Sequence, residues 1–190
     1  MSLDLTGCSD GELAGLALGN NQAAFREIMR RHSEPIYRLI RGYTGDHEEA
    51  LDLTQDCFAS AFQNLKRYDQ SRSLRAWLIR VALNKSRDFC RRRRVRQILS
   101  FATDLAPGVF EAACDDAPGP DHGAFSRIEF ARLSRAITEL PVRLKETLLL
   151  RTIEGFSQAE TAVTLSISEK AVETRLARAR AKLNQISHRN

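Results

Sequence analysis

The stretch SLRAWLIRVALNKSRDFCRRRRVRQ, from Ser73 to Gln97, sets the tightest limit on what this chain can become. Wound at 3.6 residues per turn, Leu74, Leu78, Val81, Ala82 and Phe89 fall along one side, the spacing of a helix that buries a stripe. Ser73, Trp77, Arg80, Asn84, Arg87 and Arg91 line up on the other side. The cations Arg72, Arg75, Arg80, Lys85, Arg87, Arg91, Arg92, Arg93, Arg94 and Arg96 crowd this segment with only Asp88 against them. One reading is a solvated cationic face. The other is a surface for nucleic acid, because the same face carries an aromatic ring, an amide and hydroxyls, groups that stack on bases or hydrogen-bond their edges. Trp77 stands at the border of the apolar stripe and reads as partly buried packing.

Nearly every other segment keeps the helical period, and alternating β-branched runs and hairpin dipeptides are almost absent, so the predicted fold class is all-α. With 190 residues, 43% of them hydrophobic, the chain can bury one core or two small ones. Net charge is +5 from 29 Lys and Arg against 24 Asp and Glu, so its basic character is local and points to a defined binding surface. The N-terminus lacks the basic start and apolar run of a secretory signal, and no stretch approaches the ~20 apolar residues of a membrane span. A cytoplasmic protein without direct membrane insertion is expected. Cys8, Cys57, Cys90 and Cys114 form no close pair, which argues against a disulfide framework and a structural zinc site. Cys57 reads as a small core residue, and the arginines around Cys90 predict a thiol pKa below its usual value.

Along the chain, Ser9 with Glu12 makes a capping box for a first helix. From Ala23 to Tyr43, core positions fall on Phe25, Ile28, Met29, Ile36, Leu39 and Ile40, with Pro35 as a kink. The next helix starts near Asp46, with Leu51, Phe58, Ala61, Phe62 and Leu65 toward the core. Its outward residues Glu48, Glu49, Asp52, Gln55 and Asp56 form an acidic patch. The helix dipole alone explains Glu48 and Glu49, whereas Asp52 and Asp56 lie deeper and suggest docking on a basic protein. From Ser100 to Phe125 the period breaks, in a segment with three of the five prolines and five acids. This is the predicted flexible linker, in which Leu105, Val109 and Phe110 are apolar enough to dock on a partner. The expected organisation is a first domain over 1–97, a linker over 98–125 and a second domain over 126–190.

In the last third, Pro141 opens a helix with Leu144, Leu148 and Leu149 inward, and Gly155 closes it. Ser157 with Glu160 caps a short helix containing Ala159, Ala162 and Val163. After a turn through Ser166, Ser168 caps a longer helix with Val172, Leu176, Ala179 and Leu183 inward. Short helix, tight turn and longer basic helix form a helix-turn-helix arrangement. Lys170, Glu173, Thr174, Ala177 and Arg178 would meet base edges, while Arg175, Arg180 and Lys182 reach phosphates. An amphipathic helical hairpin without DNA is the alternative.

Four segments, AFREIMRRH, IYRLIRGYTGDHEEALDLTQDCFASAF, YDQSRSLRAWLIRVALNKSRDFCRRRR and LPVRLKETLLLRTIEGFSQAETAVTLSISEKAVETRLARARAKL, resemble the extracytoplasmic-function sigma factors of the sigma-70 family, in order and spacing. The resemblance implies a sigma-2-like helical bundle that grips core RNA polymerase and melts the −10 promoter element, and a sigma-4-like helix-turn-helix domain that reads the −35 element. It implies that Asp69, Ser71, Arg72 and Ser73, in the loop after Tyr68, hold an extruded −10 base, with Arg80, Asn84, Arg87 and Arg91 on the strand and its backbone. It assigns the −35 element to Lys170, Glu173, Thr174, Arg175, Ala177 and Arg178, and polymerase docking to Asp52, Gln55, Asp56 and Phe58. Capturing an unstacked base offsets the few kcal/mol of opening, since each stacked base returns about 1–3 kcal/mol. Neither a cofactor, a metal nor catalysis is implied, and an anti-sigma factor is the expected inhibitory partner. Glu173 departs from the family pattern: it can accept from cytosine but repels phosphate, so an unusual −35 preference is expected. NKSRDFCRRRRVRQ and SEKAVETRLARARAKL are similar to the metal-resistance branch of the family.

Two rival functions remain at this point. A helix-turn-helix repressor or activator that binds duplex DNA without polymerase accounts for the last third but leaves the Arg80, Asn84, Arg87 row unexplained. A helical hydrolase would need ligands or a nucleophile, and His32, His47, His122 and His188 lie far apart with no phosphate loop or nucleophile motif.

Overall fold

The computed structural model describes residues 5–102 and 124–187, and all regular structure among them is helical. The helices are α1 (Asp10–Leu18), α2 (Gln22–Thr44), α3 (His47–Asn64), α4 (Leu74–Ala102), α5 (Ala124–Glu139), α6 (Val142–Thr152), α7 (Gln158–Leu165) and α8 (Glu169–Ser187), with a 3₁₀ turn at Leu65–Arg67. Helix therefore enters the expected linker from both sides. The docking role raised for Leu105, Val109 and Phe110 lies outside the described residues, as does Cys114. No helix among the described residues is long and apolar enough to cross a membrane.

Local chemistry fixes the helix ends. Ser9 and Glu12 form the expected capping box, with Ser9 N–H donating to Glu12 Oε2 at 2.7 Å and Glu12 N–H to Ser9 Oγ at 3.3 Å. Asn21 caps α2 by accepting from the amides of Ala23 and Ala24. Gly45 ends that helix at φ 81°, a left-handed conformation in which a β-carbon would also sit 2.7 Å from Thr138 Cγ2. Pro35 does not end α2, which continues as a single helix of 23 residues. The hydrogen bond lost at Pro35 is outweighed by tertiary packing, because Ile28, Ile36, Leu39 and Ile40 are all buried.

Helix α2 lies against α1, α3 and α4 around a core of Leu13, Ile28, Ile36, Leu39, Phe58, Leu78, Ile79 and Leu83. Each such side chain contributes about 1.5–3 kcal/mol through burial. Two predicted stripes are corrected. On α3 the core takes Ala50, Leu53, Cys57, Phe58 and Ala61, with Leu65 from the following 3₁₀ turn, leaving Leu51 39% and Phe62 47% exposed. On α4, Ile79, Leu83 and Ser86 join Leu74, Leu78 and Ala82 in the interior, while Val81 and Phe89 are half-buried. The cause is that α4 packs against α2, α3 and α7 together, so its buried stripe is wider than one neighbour requires.

The second half is not separate from the first. A small core of Leu140, Leu148 and Ala179, with Leu144, Leu176 and Leu183 partly buried against it, belongs to α5, α6 and α8 alone. Leu149, Leu150 and Phe156 instead join the core of α2 and α4. As a result α6 is buried from Lys145 through Leu150 without a break, an all-round burial of a helix whose sequence is amphipathic.

Candidate nucleic-acid interface

The loop between Tyr68 and Ser73 is built before any ligand arrives. Tyr68 is buried and its hydroxyl donates to the Arg72 carbonyl at 2.6 Å, closing the loop across its base. Asp69 Oδ1 accepts from the Ser71 hydroxyl at 2.7 Å and the Ser71 amide at 3.0 Å, an Asx turn, while Oδ2 meets Arg72 Nε at 3.1 Å. These bonds, those from Ser71 foremost, hold the Asp69 carboxyl below its ordinary range. Ser73 Oγ accepts from the Ala76 amide and so starts α4. Asp69, Ser71, Arg72 and Ser73 are all exposed. Trp77 is half-buried, its ring 5.4 Å from that of Tyr68, which agrees with a packing role.

The predicted row on α4 divides into two faces. Arg80 and Arg87 turn toward the second half of the chain. Arg80 donates to the carbonyls of Val163 at 2.9 Å and Thr164 at 3.2 Å, and Arg87 grips Glu146 through two bonds of 2.5 and 2.7 Å. Asn84 lines a different groove, between α3 and α4, about 460 Å³ in volume, with Asn64, Arg67, Trp77, Lys85 and Arg92. Arg91 is exposed and pairs with Asp88 at 3.1 Å; Arg92, Arg94 and Arg96 are exposed. Arg93 is engaged by Glu49 at 3.0 Å, tying α4 to α3. A larger groove of about 860 Å³ runs between the Tyr68–Ser73 loop and α7, with Trp77, Arg80, Phe156 and Val163 on its walls. Val163 is 67% exposed, and Thr161 and Thr164 are buried.

In the second half, Ser157 and Glu160 form the expected capping box, and Ser166 makes the turn at φ 55°. Ser168 Oγ accepts from the Ala171 amide at the start of α8. Lys170, Glu173, Thr174, Ala177 and Arg178 are exposed along α8, and Arg175 is half-buried. Lys170 Nζ lies 2.9 Å from Glu173 Oε2, so the departure at Glu173 neutralises a neighbouring cation.

On α3, Asp52, Gln55 and Asp56 are exposed beside Leu51. Phe58 is 3% exposed and faces the core, so the docking role expected for it is corrected: a buried ring meets no partner. Cys90 is corrected as well. Burial pushes its thiol pKa up, and the neighbouring cations Lys145 and Arg93 only partly offset that. Burial pushes Cys57 up to about 12.

Sequence reasoning missed the polar residues between the halves. Arg75 donates to Glu154, to its carbonyl at 2.6 Å and to its carboxylate at 3.0 Å, and lies over the Phe156 ring. Lys145 is buried, donates to the carbonyls of Tyr43 and Thr138, and has its pKa lowered by burial. Burial raises the Glu154 carboxyl against the opposing pull of Arg75. Helical period marks apolar faces, and these three charged residues offered it no signal.

Comparison with known proteins follows the same division. Residues 28–96 match the family model for sigma-70 region 2, and residues 130–183 match that for sigma-70 region 4. The chain is 39% identical over 181 residues to the RNA polymerase sigma factor CnrH of Cupriavidus metallidurans, covering 94% of each protein. It is 34% identical to the sigma factor NccH of Alcaligenes xylosoxydans xylosoxydans, over 93% of this chain and 94% of the relative. The solved structure of CnrH in complex with the cytosolic domain of CnrY superposes with a TM-score of 0.70 at 31% identity, covering 95% of this chain and 98% of that one. With both regions present in order, and with these relatives matched over more than nine-tenths of their length, the chain belongs to the sigma-70 family of RNA polymerase sigma factors, in its extracytoplasmic-function group.

Proposed function

We propose that this chain docks on core RNA polymerase through Asp52, Gln55 and Asp56, opens the −10 element with the Tyr68–Ser73 loop and α4, and reads the −35 element with α8. The observation that carries this reading is the preformed loop, whose exposed Asp69 and Ser73 line a groove together with Trp77 and the α4 cations Arg75 and Arg80, while Ser71 is exposed beside them. Such a pocket offers an unstacked base a hydrogen-bonding edge and an apolar floor, and the arginines neutralise the strand that leads to it. Exposed carboxylates on α3 add mainly association rate and orientation to polymerase docking.

The protein acts in the cytoplasm, needs no cofactor, and leaves bond-making to the polymerase. An anti-sigma factor holds it inactive, a reading supported by its likeness to a sigma factor solved with the cytosolic domain of CnrY. The similarity of α4 and α8 to the metal-resistance branch supports a metal or stress response as its setting.

Run-off transcription with purified core enzyme over a promoter library is the test. Transcripts that depend on this chain and start from a restricted promoter set are expected. No transcript on any template rejects the reading. Tight, specific binding to duplex by the isolated chain, unaided by core, favours the rival repressor or activator.

A further inference from the structure

The base-holding loop is backed by a helix that could not stand alone. α1 has nine residues, and an isolated helix shorter than about 12–15 residues is marginal in water. Its inner face of Leu13, Ala14 and Ala17 is buried, and Asp10 lies one turn earlier on the same side. α1 packs against α2 and also against the 3₁₀ turn Leu65–Arg67 that leads into Tyr68. Leu65 and Tyr68 share one core with the inner face of α1. Gly15 brings the helix up to the loop itself, since a β-carbon there would sit 3.8 Å from Gln70 Nε2.

Two adjacent residues of α2 fix where α1 begins. His32 is buried, and its Nε2 lies 2.9 Å from Asp10 Oδ2. Arg31 Nη1 donates to Asp10 Oδ1 at 3.4 Å and to the Cys8 carbonyl at 2.7 Å, while Nη2 donates to the carbonyls of Leu5 and Thr6. Both carboxylate oxygens of Asp10 are therefore engaged, although its side chain is 34% exposed. The helix dipole alone explains a carboxylate in a first turn, but it leaves a buried histidine unexplained. A ring nitrogen taken out of water needs a partner, and Asp10 supplies it. The same carboxylate acts on the loop. Burial is the larger cause that raises the pKa of the Tyr68 hydroxyl, and Asp10 comes next, ahead of Asp69. Asp10 thus neighbours both His32 and the hydroxyl that closes the loop on the Arg72 carbonyl.

We propose that Asp10, held by His32 and Arg31, is a positioning residue for promoter opening: it seats α1 against Tyr68 and so keeps the Asp69–Ser73 loop in the shape that receives an extruded base. This rests on the promoter-opening reading above, and it adds residues that act through the loop rather than on the base. A reacting group misplaced by about 1 Å from a distant change can lose on the order of 100-fold in rate, so a seat of this kind has leverage.

Trp77 is the single tryptophan of the chain, and its ring lies 5.4 Å from that of Tyr68, so its fluorescence reports on the seat without polymerase or DNA. The variants are Asp10→Ala, His32→Leu, which removes the ring nitrogen and keeps bulk, and His32→Gln, which keeps a donor for Asp10. In the full-length chain, Asp10→Ala and His32→Leu should move Trp77 emission to longer wavelength and increase its quenching by acrylamide, with helix content retained by circular dichroism. His32→Gln should keep the wild-type spectrum. In the polymerase complex, Asp10→Ala and His32→Leu should bind core as the wild type does, yet open promoters about tenfold less by permanganate footprinting. On an Asp69→Ala background, Asp10→Ala should cost less than about twofold more, whereas independent sites would repeat the full loss to within about that factor.

The proposal is overturned by an unchanged Trp77 spectrum in Asp10→Ala and His32→Leu, by the full loss repeated on the Asp69→Ala background, by core binding that falls along with opening, or by His32→Gln as damaging as His32→Leu. Loss of helix content in both Asp10→Ala and His32→Leu overturns it too, since the pair would then serve stability alone. Wild-type opening by Asp69→Ala rejects the base-holding reading instead, and the Trp77 spectra still decide whether Asp10 seats Tyr68, so the two failures are distinguishable.

Discussion

Asp69 serves two purposes in one side chain: its Oδ1 secures the Asx turn with Ser71, and its carboxylate faces the groove. Asp69→Ala removes both, whereas Asp69→Asn keeps an acceptor for Ser71. Permanganate footprinting is expected to show open-complex formation reduced about 5–150-fold for Asp69→Ala, the range of about 1–3 kcal/mol for a base-edge contact. Polymerase affinity should be unchanged, and Asp69→Asn should recover part of the loss. Asn84→Ala should behave like Asp69→Ala, from the opposite groove. A third residue governs acid stability. Glu27 accepts from Arg30 and Arg31 at 2.7–2.8 Å, and Arg31 in turn holds the carbonyls of Leu5, Thr6 and Cys8. The hydrogen bonds from Arg30 and then Arg31 depress the Glu27 carboxyl from 4.5 to about 2. A depressed carboxylate stabilises the fold above its ordinary value, and that stability is lost as pH falls from about 4.5 toward 2. Urea unfolding of Glu27→Gln should accordingly show a weaker decline across that window than the wild type.

Among the elements, α4 and α8 carry the charge proposed to meet DNA, yet their arginines are not equivalent. Arg91, Arg92 and Arg94 are exposed, whereas Arg93 is held by Glu49. Neutral substitution of Arg91, Arg92 and Arg94 in the polymerase complex should flatten the salt dependence of promoter binding by about 0.9 log units per log salt for each lost phosphate contact. Arg93→Gln should change that slope less and lower thermal stability instead. On α8, Glu173→Ala frees Lys170 from its partner, so non-specific duplex affinity is expected to rise while discrimination at one −35 position falls, both measurable by competition binding. The caps of α1 and α7, the Ser166 turn and the length of α4 to within a few residues could be read from sequence, because each depends on chemistry within four residues. The phase of α3 could not. Leu51 and Phe62 compete with Ala50, Leu53 and Cys57 for the core, and a 3.6-residue period alone cannot choose between adjacent apolar stripes.

At the scale of the whole molecule, the two regions were legible but their contact was not. Leu144, Leu148 and Leu149 give α6 an ordinary amphipathic pattern, which carries no mark of the burial of Lys145 and Glu146. Their burial depends on Tyr43 and Arg87, residues far away in the chain that no local window includes. The loop and the basic helix of the candidate site were likewise legible, while the occupation of Arg80 and Arg87 was a property of the tertiary arrangement. Because Leu149, Leu150 and Phe156 pack into the core of α2 and α4, separating the halves hands three apolar side chains to water, at about 1.5–3 kcal/mol each. An opened chain therefore carries a sticky strip beside its cations. Unless polymerase shields that strip, it should promote self-association, so that light scattering from a Gly42→Phe variant, whose ring wedges between α2 and Leu149, grows with concentration while that of the wild type stays flat.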